Sequence, residues 1–159
     1  GTREVEGKRI KNIRWTKGYI INEENSTVSA YQIPHYLFVN DDKIEKISLP
    51  KAVSSLGTSA FNSAVLIKEI IFDKDATVEE IGASCFAGCT SVEKLILPSS
   101  VKIIGNNAFR SCYKLKSISL SNELLQIGES AFDGCELLES IVLHEKVEMI
   151  GAGAFSGFI

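Results

Sequence analysis

Apolar positions recur along the chain with a period that is too long for one helix or one strand. Within each period, three apolar residues are spaced i, i+3, i+5, so the last two share one face of an extended chain. Gly, Pro and Ser interrupt the intervening segments too often for a long helix. Five short strands are therefore predicted, at Ile44/Ile47/Leu49, Ile67/Ile70/Phe72, Val92/Leu95/Leu97, Leu115/Ile118/Leu120 and Leu138/Ile141/Leu143.

A six-residue motif keeps step with these triads. It reads Ile-Gly-Asn-Asn-Ala-Phe at 104–109, and its variants end on Phe61, Phe86, Phe109, Phe132 and Phe155, at spacings of 25, 23, 23 and 23 residues. The longer spacing has its two extra residues in the polar stretch 72–77, where an insertion is tolerated easily. Phe38 lies 23 residues before Phe61 and indicates a degenerate preceding unit.

A 23-residue unit cannot bury its own apolar face, whereas stacked units can. The pattern therefore predicts a β-rich solenoid, in which about five repeats of 23 residues stack parallel strands around a continuous core. We expect the motif phenylalanines to stack on one another along this core. We expect the motif glycine, Gly105 and its equivalents, to hold either a positive φ or a close approach between coils.

Residues 1–32 depart from this period and are predicted to form an N-terminal cap, with the solenoid as one continuous domain at 33–159. The cap contains an out-of-register triad that includes Ile13, followed by two β-prone runs around a polar turn. These features predict a strand and a β-hairpin. An atypical first unit is the usual way in which a solenoid covers its open end.

The consensus of the repeat is L-x-x-I-x-L-P-x-x-V-x-x-I-G-x-x-A-F-x-x-C, which residues 94–112 show almost in full. It resembles the BspA-like (Treponema-type) leucine-rich repeat family over about residues 28–159. The resemblance implies a curved, right-handed leucine-rich repeat coil with a parallel sheet on the concave side and short irregular segments on the convex side. The chain departs from the consensus in keeping its proline only at Pro50 and Pro98, and in having Phe158 at the last cysteine position.

Members of this family are mostly surface or secreted proteins of gut and oral bacteria and of some mucosal protozoa. They are generally viewed as adhesins or ligand-binding modules, and the family has no catalytic motif to transfer. The resemblance therefore implies a cell-surface or secreted location.

Three cysteines occupy the same repeat position, namely Cys89, Cys112 and Cys135, so we expect them on adjacent coils. Thiols so placed are either paired in a disulfide or small buried apolar groups, and we favour the second interpretation. The only histidines, His35 and His144, are far apart in the coil, and no paired C-x-x-C is present. We therefore predict no metal site, no cofactor and no enzyme activity.

The residue between the second and third triad positions is expected to point into solvent. These residues are Ser48, Ile71, Ile96, Ser119 and Val142. The three apolar ones reflect either strand preference or a shallow apolar stripe for a partner. Two flanking rows alternate in charge and are expected to fix register and keep the face soluble: Glu45, Lys68, Glu93, Lys116, Glu139, and Lys46, Glu69, Lys94, Ser117, Ser140.

Charge and hydropathy exclude two classes of partner. The net charge of −3 argues against nucleic-acid binding, which needs a basic field. No apolar run approaches the roughly 20 residues of a membrane helix, so no membrane insertion is expected.

The leading hypothesis is a non-catalytic, adhesin-like module of a bacterial or protozoan surface or secreted protein. Its partner would be a protein, either a host extracellular protein or another surface protein, bound through the concave sheet. The candidate contact residues are Ile71, Lys94, Ile96, Lys116, Ser119, Val142 and His144, with Ser121 and Asn122 at the rim. The alternative is a structural spacer or stalk without its own ligand, a reading suggested by the end at Ile159 in mid-repeat.

Overall fold

The structure is a computed structural model that describes residues 12–14, 31–51 and 53–157. Its elements are β-strands only: β1 (Asn12–Arg14), β2 (Tyr31–Ile33), β3 (Lys46–Leu49), β4 (Val53–Leu56), β5 (Glu69–Phe72), β6 (Glu80–Ile81), β7 (Lys94–Ile96), β8 (Ile103–Ile104), β9 (Ser117–Ser119), β10 (Gln126–Ile127) and β11 (Met149–Ile150). Over these described residues, no helix is long and apolar enough to cross a bilayer.

The strands form two sets of parallel ladders that run along the coil. One set joins β1, β3 and β5, and separately β7 and β9, through the predicted triads. The other joins β2, β4, β6, β8, β10 and β11 in one continuous six-stranded sheet. Equivalent residues of successive repeats pair, as Ile47 does with Ile70 and Leu95 with Ile118. The predicted parallel β-solenoid of about five turns is therefore confirmed.

The second ladder differs from the irregular segments that the resemblance implied for that side. Most of its strands are only two residues long and consist of the motif isoleucine and the residue before it, as in Ile103–Ile104. The following Gly105 N–H then donates to the Ile81 carbonyl at 2.8 Å, which brings the coils together. On the first side, the fifth predicted strand is reduced to a single bridge between Ser117 and Ser140.

A column of phenylalanine rings forms the centre of the core. Successive rings from Phe38 to Phe155 have centroids 5.1 to 5.7 Å apart and are tilted by at most 14°, so every neighbouring pair is stacked. The predicted stack is confirmed, and Phe38 extends it into the degenerate first unit. Four of these rings are among the most fully buried large side chains: Phe61, Phe86, Phe109 and Phe132.

The motif glycine serves close approach between coils, and the positive-φ alternative is wrong for this position. A Cβ added to Gly105 would lie 2.7 Å from the Ala83 nitrogen, which is closer than real Cβ contacts. A positive φ occurs two residues later instead, at Asn107 with φ 57° and at its equivalents Ser59, Ser84, Ser130 and Gly153. The coil turns there, so the glycine remains free to pack against the backbone of the preceding coil.

The N-terminal segment contributes one described strand to the first ladder. β1 pairs in parallel with β3, and Ile13 lies opposite Ile47 although 34 residues separate them in sequence. The early triad thus departs from the 23-residue spacing in sequence, but its strand still pairs with β3 at equivalent positions. The predicted hairpin has its two β-prone runs at 19–21 and 27–31, and all of it except Tyr31 lies outside the described residues. Tyr31 begins β2, which pairs in parallel with β4. The hairpin and the division at residue 33 therefore stay predictions.

Candidate functional site

The strand face, which we define as the outward side of β3, β5, β7, β9 and the segment 140–144, exposes alternate side chains. Ile71, Ile96 and Val142 are 44%, 60% and 66% exposed, whereas Ile70 in β5 and Leu95 in β7, each next to an exposed isoleucine, are buried. The alternation follows directly from the two-residue period of a strand. The predicted exposure of these three apolar side chains is therefore confirmed.

The ladder of this face is interrupted between β5 and β7. At three other steps along the coil, the backbone of one repeat donates to the preceding one: Lys68 N–H to Glu45 O at 2.8 Å, Lys116 N–H to Glu93 O at 2.9 Å and Glu139 N–H to Lys116 O at 3.3 Å. In the part of the chain that the structure describes, no backbone hydrogen bond joins Glu93 to Lys68, and no ladder joins the two strands.

The interruption coincides with the one repeat that is 25 residues long. The extra residues lengthen the turn directly after β5, and Phe72 replaces the leucine found at the equivalent positions Leu49, Leu97 and Leu120. A longer turn and a larger side chain both oppose the close spacing of about 4.8 Å that a ladder requires. Beneath the break the core is continuous, because Ile70 and Leu95 are buried.

A groove of about 650 Å³ lies over this interruption. Its apolar lining includes Ile71, Phe72, Ile96 and Leu97, and its polar lining is Lys68, Glu69, Asp73, Lys74, Glu93 and Lys94. This volume is within the range of roughly 300–1,000 Å³ that is typical of ligand sites. Of the lining residues, Ile71, Ile96 and Lys94 were predicted from the sequence as contact residues. The groove itself was not predicted, although the 25-residue spacing marked its place.

The charges around the groove are only partly neutralised. Glu69 pairs with Lys46 at 3.5 Å and Glu93 pairs with Lys116 at 3.0 Å, each across to the strand on the far side from the groove. Lys68 and Lys94 have no ion-pair partner among the described residues. Beside the groove, the predicted rows of alternating charge thus form two cross-strand ion pairs. The ammonium groups of Lys68 and Lys94 line the groove without an ion-pair partner among the described residues.

Three of the four remaining candidate residues lie beside a second, smaller groove. Ser119, Val142 and His144 line a space of about 350 Å³ together with Lys94, which therefore borders both grooves. Lys116 lines neither groove and is held by Glu93. The structure thus divides the predicted set over two neighbouring grooves.

Ser121 is a structural residue, and its predicted place at the rim is wrong. Its side chain is only 3% exposed, and its hydroxyl donates to the Ser99 carbonyl at 2.9 Å. The same oxygen accepts the Glu123 N–H at 3.0 Å. These bonds turn the hydroxyl inward to join two coils, which strand alternation alone does not indicate. Asn122 next to it is exposed.

The four cysteines are buried free thiols, as the favoured interpretation predicted. Cys89, Cys112 and Cys135 donate through Sγ to the carbonyls of Phe61, Phe86 and Phe109 at 3.2, 3.3 and 3.2 Å. Burial raises the pKa of Cys89 to about 12, so the group remains a thiol at neutral pH. The Cys89 thiol is therefore a poor nucleophile, because the thiolate is the reactive form.

No metal centre is formed by the described ranges 12–14, 31–51 and 53–157, where no three His, Cys, Asp or Glu side chains converge. The strand face presents shallow grooves, exposed β-branched side chains and two lysines that have no ion-pair partner among the described residues.

Comparison with known proteins agrees with this geometry. Residues 31–158 match the model of the BspA type leucine rich repeat region in six copies. Among curated proteins, none matches the chain in sequence.

Solved structures of bacterial leucine-rich repeat proteins are similar to the fold. One from Eubacterium ventriosum is 26% identical over 78% of this chain and 33% of its own, with a TM-score of 0.72. The T. pallidum leucine rich repeat protein is 27% identical over 79% of this chain and 69% of its own, with a TM-score of 0.60.

A leucine rich cell surface protein from Faecalibacterium prausnitzii is 23% identical, with a TM-score of 0.67, over 84% of this chain and 37% of its own. At that identity the likeness shows the fold alone. The chain spans about a third of the E. ventriosum protein. With six matched repeats over most of its length, the chain belongs to the BspA-type leucine-rich repeat family.

Proposed function

We propose that the chain is a non-catalytic, adhesin-like module of a cell-surface or secreted protein, and that it binds a protein partner through the strand face. Leucine-rich repeats are a general protein-interaction fold, and the F. prausnitzii protein of similar fold is described as a cell surface protein. The observation that best supports the proposal is the row of exposed Ile71, Ile96 and Val142. Exposed apolar side chains grouped on one face are typical of interaction sites.

The proposal predicts that the double variant Ile71→Asp/Ile96→Asp folds normally and loses partner binding. The two side chains are exposed, and serine occupies the equivalent position in β3 and β9, so the fold does not require an apolar group there. Two carboxylates introduced into an apolar contact would have to be desolvated without partners, which strongly opposes association. The measurement is binding of the immobilised chain to a panel of purified extracellular and bacterial surface proteins.

The matched control is the double variant Tyr113→Asp/Leu137→Asp. These side chains are 46% and 48% exposed but lie in the turns that precede the strands. The control is expected to bind as the unmodified chain does. Equal binding by the Ile71/Ile96 variant would show that the strand face is not the site. If no member of the panel binds saturably, the chain acts as a spacer and the proposal is wrong.

A further inference from the structure

The interruption between β5 and β7 has properties that the rest of the strand face lacks. We propose that its groove binds an extended polypeptide segment in which apolar side chains alternate with carboxylates. This inference rests on the proposed function, because it names the partner chemistry for one part of the same face. Three observations support it: the missing rung of the ladder, the apolar lining and the unpaired lysines.

The backbone at the interruption differs from that at the other steps of the ladder. The Lys68 carbonyl and the Glu93 N–H lack the hydrogen bond that their equivalents make at the other steps, within the described residues. Both residues line the groove. Backbone groups are strong hydrogen-bonding groups, and a polypeptide offers both a donor and an acceptor along one extended edge. A segment that lies over the groove would pass above this donor and this acceptor.

The side chains of the groove favour apolar residues in that segment. Ile71 and Ile96 stand on either side of the interruption, and Phe72 and Leu97 line it with them. In an extended segment alternate side chains point to one side, so every second residue would face these apolar groups. A bound apolar side chain would then be covered on both sides by β-branched side chains.

The remaining side chains of the segment point away from the apolar floor, where the long side chains of Lys68 and Lys94, on the two walls, can reach a carboxylate. Lys68 on one wall and Lys94 on the other have no ion-pair partner among the described residues, whereas Glu69 and Glu93 are held by Lys46 and Lys116. At the end of the groove, the Asp73 carboxylate accepts the Asp75 N–H at 2.8 Å, and Lys74 lies 3.9 Å from Asp75. Asp73 keeps its negative charge, so Lys68 and Lys94 leave the groove with an excess of one positive charge. Complementary charges guide association and register.

The same observations do not suit a nucleic acid. Affinity for a phosphate backbone comes from many basic contacts. This groove presents only two lysines without an ion-pair partner among the described residues, on a chain of net charge −3. The two exposed isoleucines that line the groove with those lysines match an apolar side chain better than a sugar or a phosphate.

The probe is a pool of short synthetic peptides with Ile, Val or Leu at alternate positions and Asp or Glu between them. Two further pools replace the acidic residues by Lys, or the apolar residues by Ser. Binding is measured on the isotopically labelled chain by NMR, which also reports the amides that are perturbed. We expect the acidic apolar pool to bind and to perturb the amides of 68–74 and 93–98, and both other pools to bind at least about tenfold more weakly.

The double variant Lys68→Glu/Lys94→Glu is expected to weaken binding of the acidic apolar pool by about tenfold or more. Its control, Lys51→Glu/Lys114→Glu, changes the net charge equally at exposed lysines that do not line the groove. The control is expected to bind within about twofold of the unmodified chain. If the two double variants lose peptide affinity equally, net charge and not the groove lysines accounts for the loss. That result would overturn the inference.

A second variant tests the interruption itself. Deletion of Lys74 and Asp75 restores the 23-residue spacing, so we expect the β5–β7 ladder to close and peptide binding to be lost while the thermal unfolding transition remains. Retained binding by this variant, or equal binding of the Lys-containing pool, would overturn the inference.

If the peptides do not bind but Ile71→Asp/Ile96→Asp abolishes capture of a protein partner, the inference fails and the proposed function stands. If the peptides do not bind and Ile71→Asp/Ile96→Asp also captures the protein partner normally, the inference and the proposed function both fail.

Discussion

Replacement of Phe109 by alanine is expected to lower the free energy of unfolding by about 3–5 kcal/mol. Phe109 is 1% exposed, and its ring lies 5.7 Å from that of Phe86 and 5.3 Å from that of Phe132. The truncation removes both stacking contacts and leaves a cavity between two coils that the ladders hold at a fixed distance. Urea unfolding followed by circular dichroism measures the change.

The matched control for Phe109 is Tyr113→Ala, an aromatic truncation four residues later. Tyr113 is 46% exposed, so its loss is expected to change the free energy of unfolding by no more than about 0.5 kcal/mol. Equal effects of the two substitutions would mean that the phenylalanine column does not hold the solenoid together.

Gly105→Ala is expected to destabilise the chain by roughly 3 kcal/mol, and Gly105→Val by more. The added Cβ would lie 2.7 Å from the Ala83 nitrogen and 2.9 Å from the Ile81 carbonyl oxygen, both backbone atoms. These atoms cannot retreat, because Ile81 pairs with Ile104 and accepts the Gly105 N–H at 2.8 Å. Thermal unfolding measures the loss.

Gly134→Ser is the control that separates collision from backbone strain. Gly134 has φ +75°, but an added Cβ would meet nothing closer than 3.6 Å. Serine is already present at the equivalent positions Ser63 and Ser111, with φ 58° and 59°. We expect this substitution to cost about 1 kcal/mol. An unchanged unfolding temperature for Gly105→Val, or a larger effect at Gly134, would contradict close approach as the role of the motif glycine.

The features of the fold that could be predicted were those that the period repeats. The motif phenylalanine recurs at a fixed position, so Phe109 and its equivalents stack. The outward strand position also recurs, so Ile71, Ile96 and Val142 are exposed on one face. The ion pair between Lys102 and Glu79, at 2.9 Å, was also accessible from the sequence, because opposite charges 23 residues apart lie on adjacent coils.

The features that could not be predicted depend on local geometry that the period does not encode. Two-residue strands such as β8 are too short to show alternation, so the second ladder has no pattern of its own. The direction of the Ser121 hydroxyl depends on the position of the Ser99 carbonyl in the neighbouring coil. The break between β5 and β7 depends on how a longer turn is routed, and the spacing shows only where the additional residues are.

The role of the strand face is tested most directly by amide hydrogen exchange of the chain, with and without a bound protein partner. If the strand face is the binding surface, protection is expected at 68–74 and 93–98, with lesser protection near 140–144. Amides of the opposite ladder, β4, β6, β8 and β10, should exchange equally in the two states. Protection confined to that opposite ladder, with none along β5 and β7, would contradict the proposal.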